Sequence, residues 1–375
     1  MSVIPLSLYV HMPWCLRKCP YCDFNSHALH HPLPEENYVQ ALLSDLKQRL
    51  SFIADRPIYT IFIGGGTPSL FSASAYEKLF YEMKKVLTLK EEIEITLEAN
   101  PGSVEQSRFN GYQKIGINRL SLGIQSFQDD KLKKLGRIHT AENAKQAIQT
   151  AKRAGFKNIN IDLMFGLPKQ KIEDALFDLK NGIELDPTHI SWYQLALEPQ
   201  TFFYKHPPVL PSDDYIWEMQ VKGQQLLKQQ GFYQYEVSSY CRDNYFCQHN
   251  INYWEFGDYL GIGAGAHSKL TFENEIFRYW NIKNPRFYMH PQNSFLEGQR
   301  SLHPEELPLE FMMNALRLQK PIPLTLFTQR TRLEPHAISS WLKTIKKGKL
   351  LKLENNHLIV LPLGHQFLNE LLMEL

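Results

Sequence analysis

Three thiols crowd into eight positions, in Cys15-Leu-Arg-Lys-Cys19-Pro-Tyr-Cys22. Thiolates are soft ligands that select zinc or iron–sulfur clusters. A structural zinc takes four protein ligands, and His11 or His27 is available as the fourth. Zinc sites commonly pair two short knuckles, however, and no partner knuckle is visible. Three thiolates on a 4Fe–4S cluster leave one iron open, and an open position is what chemistry at a metal requires. The chain has five cysteines, an odd number with three of them clustered. That pattern argues against a disulfide framework and for a metal or redox site in a reducing compartment.

Something must hold this loop. Short apolar runs bounded by Gly or Pro predict six strands: Leu6 to Met12, Tyr59 to Ile63, Glu94 to Leu97, Arg119 to Ile124, Asn158 to Met164 and His189 to Ala196. Helical periodicity fills the gaps at Glu36 to Leu50, Ala73 to Leu87, Ser103 to Ile115, Ala141 to Ala154 and Ile172 to Leu185. Strands alternating with helices imply parallel βαβ units with right-handed crossovers. Six units in about 200 residues suggest a β/α barrel, complete or partial, whose functional loops follow the strand C-termini. The thiols follow the first strand. Gly64-Gly65-Gly66-Thr67-Pro68 ends the second; by itself it reads as a tight turn, but one strand from the thiols it lets backbone approach a ligand closely.

After Pro199 the theme changes. Pro207-Pro208 and Pro211 read as a linker, followed by a helix from Asp213 to Gln230 and aromatic-rich strand and loop to about residue 290. Helices are expected at Leu309 to Leu318, Leu324 to Thr331 and His336 to Lys347. A basic turn at Lys346 to Lys349 and a hairpin of Leu351 to Glu354 and His357 to Val360 complete a winged-helix-like appendage. The expected division is 1–200 for the barrel core, 201–300 for a barrel-completing and ligand-binding region, and 301–375 for the appendage. With 41 basic and 39 acidic residues in 375, the net charge is +2. So even a balance excludes strong attraction to nucleic acid. No apolar run reaches the roughly 18 residues of a membrane span. The first basic residue is Arg17, unlike a secretory signal, so a cytoplasmic protein is expected.

Cys-x-x-x-Cys-x-aromatic-Cys, with Tyr21 as the aromatic, resembles the signature of the radical S-adenosylmethionine (SAM) superfamily. The resemblance implies an α/β fold: a partial (β/α)6 TIM-like barrel with a mainly helical, winged-helix-like C-terminal domain. It also implies a 4Fe–4S cluster on Cys15, Cys19 and Cys22, whose open iron is chelated by SAM, with Tyr21 packing against the adenine. Further segments are similar to the oxygen-independent coproporphyrinogen III oxidase family. They are Tyr9-Val-His11-Met-Pro13-Trp-Cys15, Gly64 to Pro68, Glu98-Ala-Asn-Pro101-Gly102, Ser121 to Phe127 and Asp162-Leu-Met-Phe-Gly166-Leu-Pro168. By that resemblance Tyr9, Gly65, Gly66, Thr67, Glu98, Gln125, Arg137, Asp162 and Ala196 match SAM-binding positions. His267, in the glycine-rich Gly261 to Ser268, is expected near the same ligand, with the glycines packing backbone against its site. Glu98 and Asp162 can accept from ribose hydroxyls or a cation, and Arg137 can fork onto a carboxylate. For any one of these residues alone, a cap or loop charge is the simpler reading.

Two departures point within the family. The oxidase carries a further cysteine two positions beyond the triad, where this chain has Phe24, and a long arm before its first strand, which here begins near residue 6. Both match the heme chaperone branch instead. So does His249-Asn-Ile-Asn-Tyr253-Trp254, a motif associated with that branch. Heme asks for an axial ligand and a flat apolar wall: His249 offers the first, Tyr253 and Trp254 the second, and Cys241 and Cys247 are alternative ligands. A buried core histidine is the bland alternative. The resemblance thus implies a heme-binding, heme-transferring protein with no assigned catalytic residue. Its partner would be a heme-accepting protein, with transient contact to membrane-bound heme enzymes among the encounters implied. The alternative is a radical SAM porphyrinogen oxidase.

Overall fold

The computed structural model describes residues 4–53, 55–102, 106–273, 275–292, 294–346, 350–373 and 375. Six strands pair in parallel in chain order: β1 (Leu6–Met12), β2 (Ile58–Gly65), β3 (Leu89–Ala99), β4 (Arg119–Gln125), β5 (Asn158–Phe165) and β6 (His189–Gln194). Alternation assigns each side chain a face. Leu6, Leu8, Val10 and Met12 of β1 are fully buried on the side of the helices. Ser7 and Tyr9 take the inner face, where they meet Thr60 and Phe62 of β2.

Antiparallel strands extend both ends of this row. β7 (Tyr233–Glu236) and β8 (Ser239–Cys241) add beyond β6. On the other flank β9 (Asp258–Ile262) runs parallel to β1, and β10 (His267–Phe272), β11 (Glu275–Asn281) and β12 (Leu296–Ser301) follow antiparallel. The two outermost strands, β12 and β7, are not paired with each other, so the barrel is partial. The seventh parallel strand, β9, was not expected as such. Its Gly261 masks the strand signal, because glycine is a poor strand former. The position needs it: a Cβ there would lie 2.1 Å from the His267 carbonyl oxygen.

The outer helices include α1 (Glu35–Ile53), α2 (Ala73–Met83), α3 (Phe109–Lys114), α4 (Asp129–Lys134), α5 (Ala141–Arg153), α6 (Ile172–Glu184) and α7 (Asp213–Gln229). Ser72 caps α2 by accepting from Ala75 N, and Thr140 and Asn143 form a capping box on α5. The helix expected from Ser103 is shorter than the periodicity suggested; residues 103–105 lie outside the described set. A short helix, α8 (Gln248–Trp254), sits between β8 and β9.

A second apolar core, with Phe311, Phe327, Trp341 and Leu358, defines the C-terminal unit. It joins α9 (Leu307–Ala315), α10 (Leu324–Thr331) and α11 (Ser339–Lys346) to an antiparallel sheet of β13 (Ile322–Pro323), β15 (His357–Val360) and β14 (Leu351–Glu354). This is the expected winged-helix-like arrangement. Lys347 to Lys349 of the basic turn lie outside the described residues. Phe256 and Ile276 of the barrel belong to this second core, and Arg317–Glu236, Arg278–Glu310 and Lys320–Glu255 ion pairs cross the junction.

Candidate functional site

The thiol loop leaves β1 and returns to it. Trp14–Cys15 pairs with His27–Ala28, closed by His27 N to Pro13 O at 2.7 Å and Leu29 N to Cys15 O at 2.8 Å. Within the loop, Cys22 N donates to Cys19 O at 3.1 Å. Asn25 pins it from outside, donating to the carbonyls of Ala264 and Lys283, each at 2.9 Å. The glycines after β9 allow this approach: a Cβ on Gly265 would sit 2.2 Å from the Asn25 amide, and one on Gly263 2.4 Å from His11 O. The expected close packing of this glycine segment is therefore against the thiol loop.

His11 is not available to a metal. Its Nε2 lies 2.8 Å from Asn25 O and its Nδ1 3.0 Å from the Tyr9 hydroxyl, and burial holds the ring neutral, with a pKa of about 4. The three cysteines are free and partly exposed. Burial pushes the Cys15 and Cys22 thiols up. Among the described residues no three His, Cys, Asp or Glu side chains converge as a single ion requires.

All three cysteines line a cavity of about 320 Å³ that opens over the C-terminal ends of the parallel strands. Tyr21, Gly65, Gly66, Thr67, Glu98, Gln125, Arg137 and Asp162 line it with them. The glycine run is stitched to the thiol loop: Gly66 N donates to Met12 O and Thr67 N to Trp14 O, both at 2.7 Å. Gly65 has φ +108°, and a Cβ on Gly66 would lie 2.6 Å from Trp14 O, so neither position admits a side chain without displacement. Glu98 accepts from Gly65 N at 3.1 Å; burial, reinforced by the nearby Asp162 charge, pushes its carboxyl up to about 8. Asp162 is also raised by burial, against hydrogen bonds from Asn160 at 2.8 Å and Ser121 at 3.2 Å. Two half-buried carboxyls with raised pKa values, facing a cavity, suit a ligand carrying positive charge or hydroxyl donors. With the thiols beside them, the donor set fits a cluster and a sulfonium amino acid.

Arg137 ties the rim together. It donates to Asn100 Oδ1 at 2.5 Å, to Gly123 O at 2.6 Å and to Cys19 Sγ at 3.7 Å. Asn100 in turn donates to Thr67 Oγ1 at 2.9 Å. Asn100 was not singled out in the sequence, although it continues the inward alternation of Thr96 and Glu98. Tyr193, also not anticipated, donates to Gln125 Oε1 at 2.9 Å.

Other expected residues fall elsewhere. Tyr9 does not line the cavity; it stacks on Phe62 inside the barrel and supports His11. Ala196 lines a separate cavity, and His267 is an exposed residue at the start of β10 opposite Trp280. The expected heme wall is not formed around His249. That ring is 8% exposed, 2.9 Å from Thr60 Oγ1 and 5.1 Å from the Phe62 ring, enclosed in the barrel. Burial and the Arg119 charge hold it neutral, with a pKa of about 3. Glu94 on β3 accepts from Gln248 N and His249 N, each at 3.2 Å, at the start of α8. Tyr253 instead meets Tyr259, while Trp254 lines the cluster cavity beneath the Arg317 guanidinium at 4.4 Å. Cys241 and Cys247 are buried, their thiols pushed up to about 11 and about 12 mainly by burial.

Residues 9–179 match the radical SAM superfamily model and residues 302–367 the HemN C-terminal domain model. The chain is 48% identical over 373 residues to "Heme chaperone HemW" of Haemophilus influenzae, covering 98% of this chain and 97% of that protein. It is 49% identical over 370 residues to the Escherichia coli K12 protein of the same name, with the same coverages. Among solved structures, the radical SAM enzyme coproporphyrinogen III oxidase (HemN) from Escherichia coli superposes with a TM-score of 0.84 at 23% identity, covering 99% of this chain and 90% of that one, a likeness of fold. Thiol loop, strand-end cavity and full-length similarity agree: the chain belongs to the HemW family of radical SAM proteins.

Proposed function

We propose that this protein is a heme chaperone that carries a SAM-ligated 4Fe–4S cluster and hands heme to an acceptor protein. The observation that carries the reading is similarity over the whole chain to proteins named heme chaperones, joined to an intact thiol loop and cavity. Cys15, Cys19 and Cys22 bind the cluster. When bound, cluster and SAM supply one-electron chemistry at a sulfonium. The chain's own residues bind and orient. Gly65 and Gly66 give the ligand backbone contact, Glu98 and Asp162 accept from its cationic or hydroxyl groups, Gln125 and Thr67 offer polar partners, and Tyr21 a flat face. Arg137 holds the rim to the thiol loop. Tyr9, Ala196 and His267 have no direct part in this reading. Among the described residues no helix is long and apolar enough to cross a membrane.

Phe24 supports transfer over porphyrinogen oxidation. It stands where the oxidase has its further cysteine and lines the cavity. Hemin added to the anaerobic protein is expected to give a saturable Soret band. Coproporphyrinogen III with SAM and a reductant is expected to give no protoporphyrinogen. Appearance of that product replaces the chaperone by the enzyme.

A further inference from the structure

Asp162 reaches the cluster cavity from β5, and the hydrogen bonds that hold it run on behind the cavity wall. Asn160, two residues earlier on the same face of the strand, donates to Asp162 Oδ1 at 2.8 Å and to Ser121 Oγ at 2.7 Å. Behind Asn160 stand His189 of β6 and Tyr235 of β7, both buried. We infer that His189 is a positioning residue for the SAM site: it fixes the Asn160 amide and through it the Asp162 carboxyl. The inference rests on reading the cavity as a SAM site.

The groups along this line donate in one direction. The Tyr235 hydroxyl accepts from Cys247 N at 3.3 Å and lies 2.7 Å from His189 Nε2. Among the described residues Nε2 is the only acceptor bonded to that hydroxyl, so the Tyr235 O–H donates to it. Burial and the Arg119 charge hold the His189 ring neutral, so it carries one N–H, on Nδ1. Nδ1–H donates to Asn160 Oδ1 at 2.6 Å. Ser191 Oγ donates to the same oxygen at 3.1 Å, which completes the four bonds an amide side chain can make. Both amide hydrogens then point at Ser121 and Asp162. Turned over, the amide would set its carbonyl against the carboxylate and its NH2 group against Nδ1–H.

The far end of the line is held by backbone. Tyr235 takes the N–H of Cys247, the residue before α8, on its hydroxyl, and the N–H of Gln319 from the C-terminal unit on its carbonyl at 2.9 Å. Its ring meets Phe246 edge-on at 5.0 Å. At the near end each Asp162 oxygen takes one protein donor, from Asn160 or from Ser121, and keeps lone-pair capacity for the ligand. The carboxyl is thus set as an acceptor before the ligand arrives, which removes a reorientation cost from binding. Asn160, His189 and Tyr235 are not among the residues lining the cavity, so their influence on a ligand passes through Asp162.

The test is a SAM titration of the full-length, cluster-loaded protein under nitrogen. Iron is counted on each sample, and the SAM-induced change in the EPR spectrum of the reduced cluster is the second readout. Three variants are compared with wild type. His189→Asn keeps an N–H donor at the place of Nδ1, His189→Leu has none, and Tyr235→Phe removes only the hydroxyl. Iron content should match wild type throughout. SAM affinity should fall about tenfold in His189→Leu and about threefold in Tyr235→Phe, with the EPR change weakened in step. His189→Asn should recover most of the loss. A role in packing alone would make the smaller, polar asparagine at least as harmful as leucine. If His189→Leu does not fold, Tyr235→Phe decides: unchanged SAM affinity overturns the inference. Wild-type affinity in His189→Leu, or a loss in His189→Asn as large as in His189→Leu, overturns it too and leaves the SAM site standing. Wild type that holds about four irons and binds no SAM overturns the SAM reading and this inference with it.

Discussion

Arg137 and Cys19 are bonded across the mouth of the barrel, Nη1 of the arginine donating to the sulfur at 3.7 Å. A residue beyond the fourth strand thus touches the thiol loop beyond the first. A fixed cation near a cluster favours its reduced form. Replacing Arg137 with Gln should lower the cluster potential by an amount on the order of tens of millivolts, with SAM-dependent spectral changes weakened. Spectroelectrochemistry of the reconstituted protein reads the shift; an unchanged or raised potential removes Arg137 from the cluster's surroundings.

Glu98 gives a pH dependence. Its ordinary value is 4.5 and its folded value about 8, so between these the folded protein holds a proton that the unfolded chain has released. Stability contributed by that difference is present at low pH and is lost as pH rises through about 8. The ligand-free protein should therefore lose melting temperature from pH 5 to 8 more steeply than Glu98→Gln. SAM affinity should run the other way, rising towards pH 8 as Glu98 ionises beside a cationic ligand. Parallel slopes for wild type and variant contradict the assignment.

Gly66 sits between two backbone carbonyls. An alanine there meets Trp14 O at 2.6 Å and Met12 O at 2.7 Å, neither of which is the end of a flexible side chain. Gly66→Ala should destabilise the protein by about 3 kcal/mol and lower iron retention, because the glycine run and the thiol loop move together. Chemical denaturation with iron analysis on the same sample checks it; a wild-type midpoint and iron content refute the stitch.

Asn25 is a tether whose loss should be local. Its two hydrogen bonds to Ala264 and Lys283 join the thiol loop to the far flank of the sheet. Asn25→Ala should accelerate cluster loss in air severalfold and shift the melting temperature by only a few degrees. Decay of the cluster's visible absorbance is the readout, and an unaltered rate rejects the tether.

The parallel frame was legible because each strand carries its own boundary. Gly65 ends β2 and Gly166 follows β5, and apolar runs between such marks need little help from distant residues. β9 was hidden because Gly261 is dictated by the His267 carbonyl, a contact no local pattern announces. The thiols and the glycine, carboxylate and arginine positions of the cavity could be read because they fall at strand ends. Asn100 could have been found the same way, two residues beyond Glu98 on the same face. Tyr9 and Ala196 came from resemblance and His267 from its glycine-rich segment; none of the three is among the residues lining the cluster cavity. The surroundings of His249 were not legible for a physical reason: Glu94, more than 150 residues earlier, accepts from the backbone at the start of α8. Imidazole beside aromatics looks the same in sequence whether it faces a slot or a core.

The account depends most on what the loop of three cysteines holds. Iron and acid-labile sulfide should be counted after oxygen-free reconstitution of the full chain, alongside a variant with Cys15, Cys19 and Cys22 all changed to serine. The account predicts about four irons and four sulfides per chain in wild type and none in the variant. Fewer than about three irons in wild type, or metal retained by the variant, would contradict it.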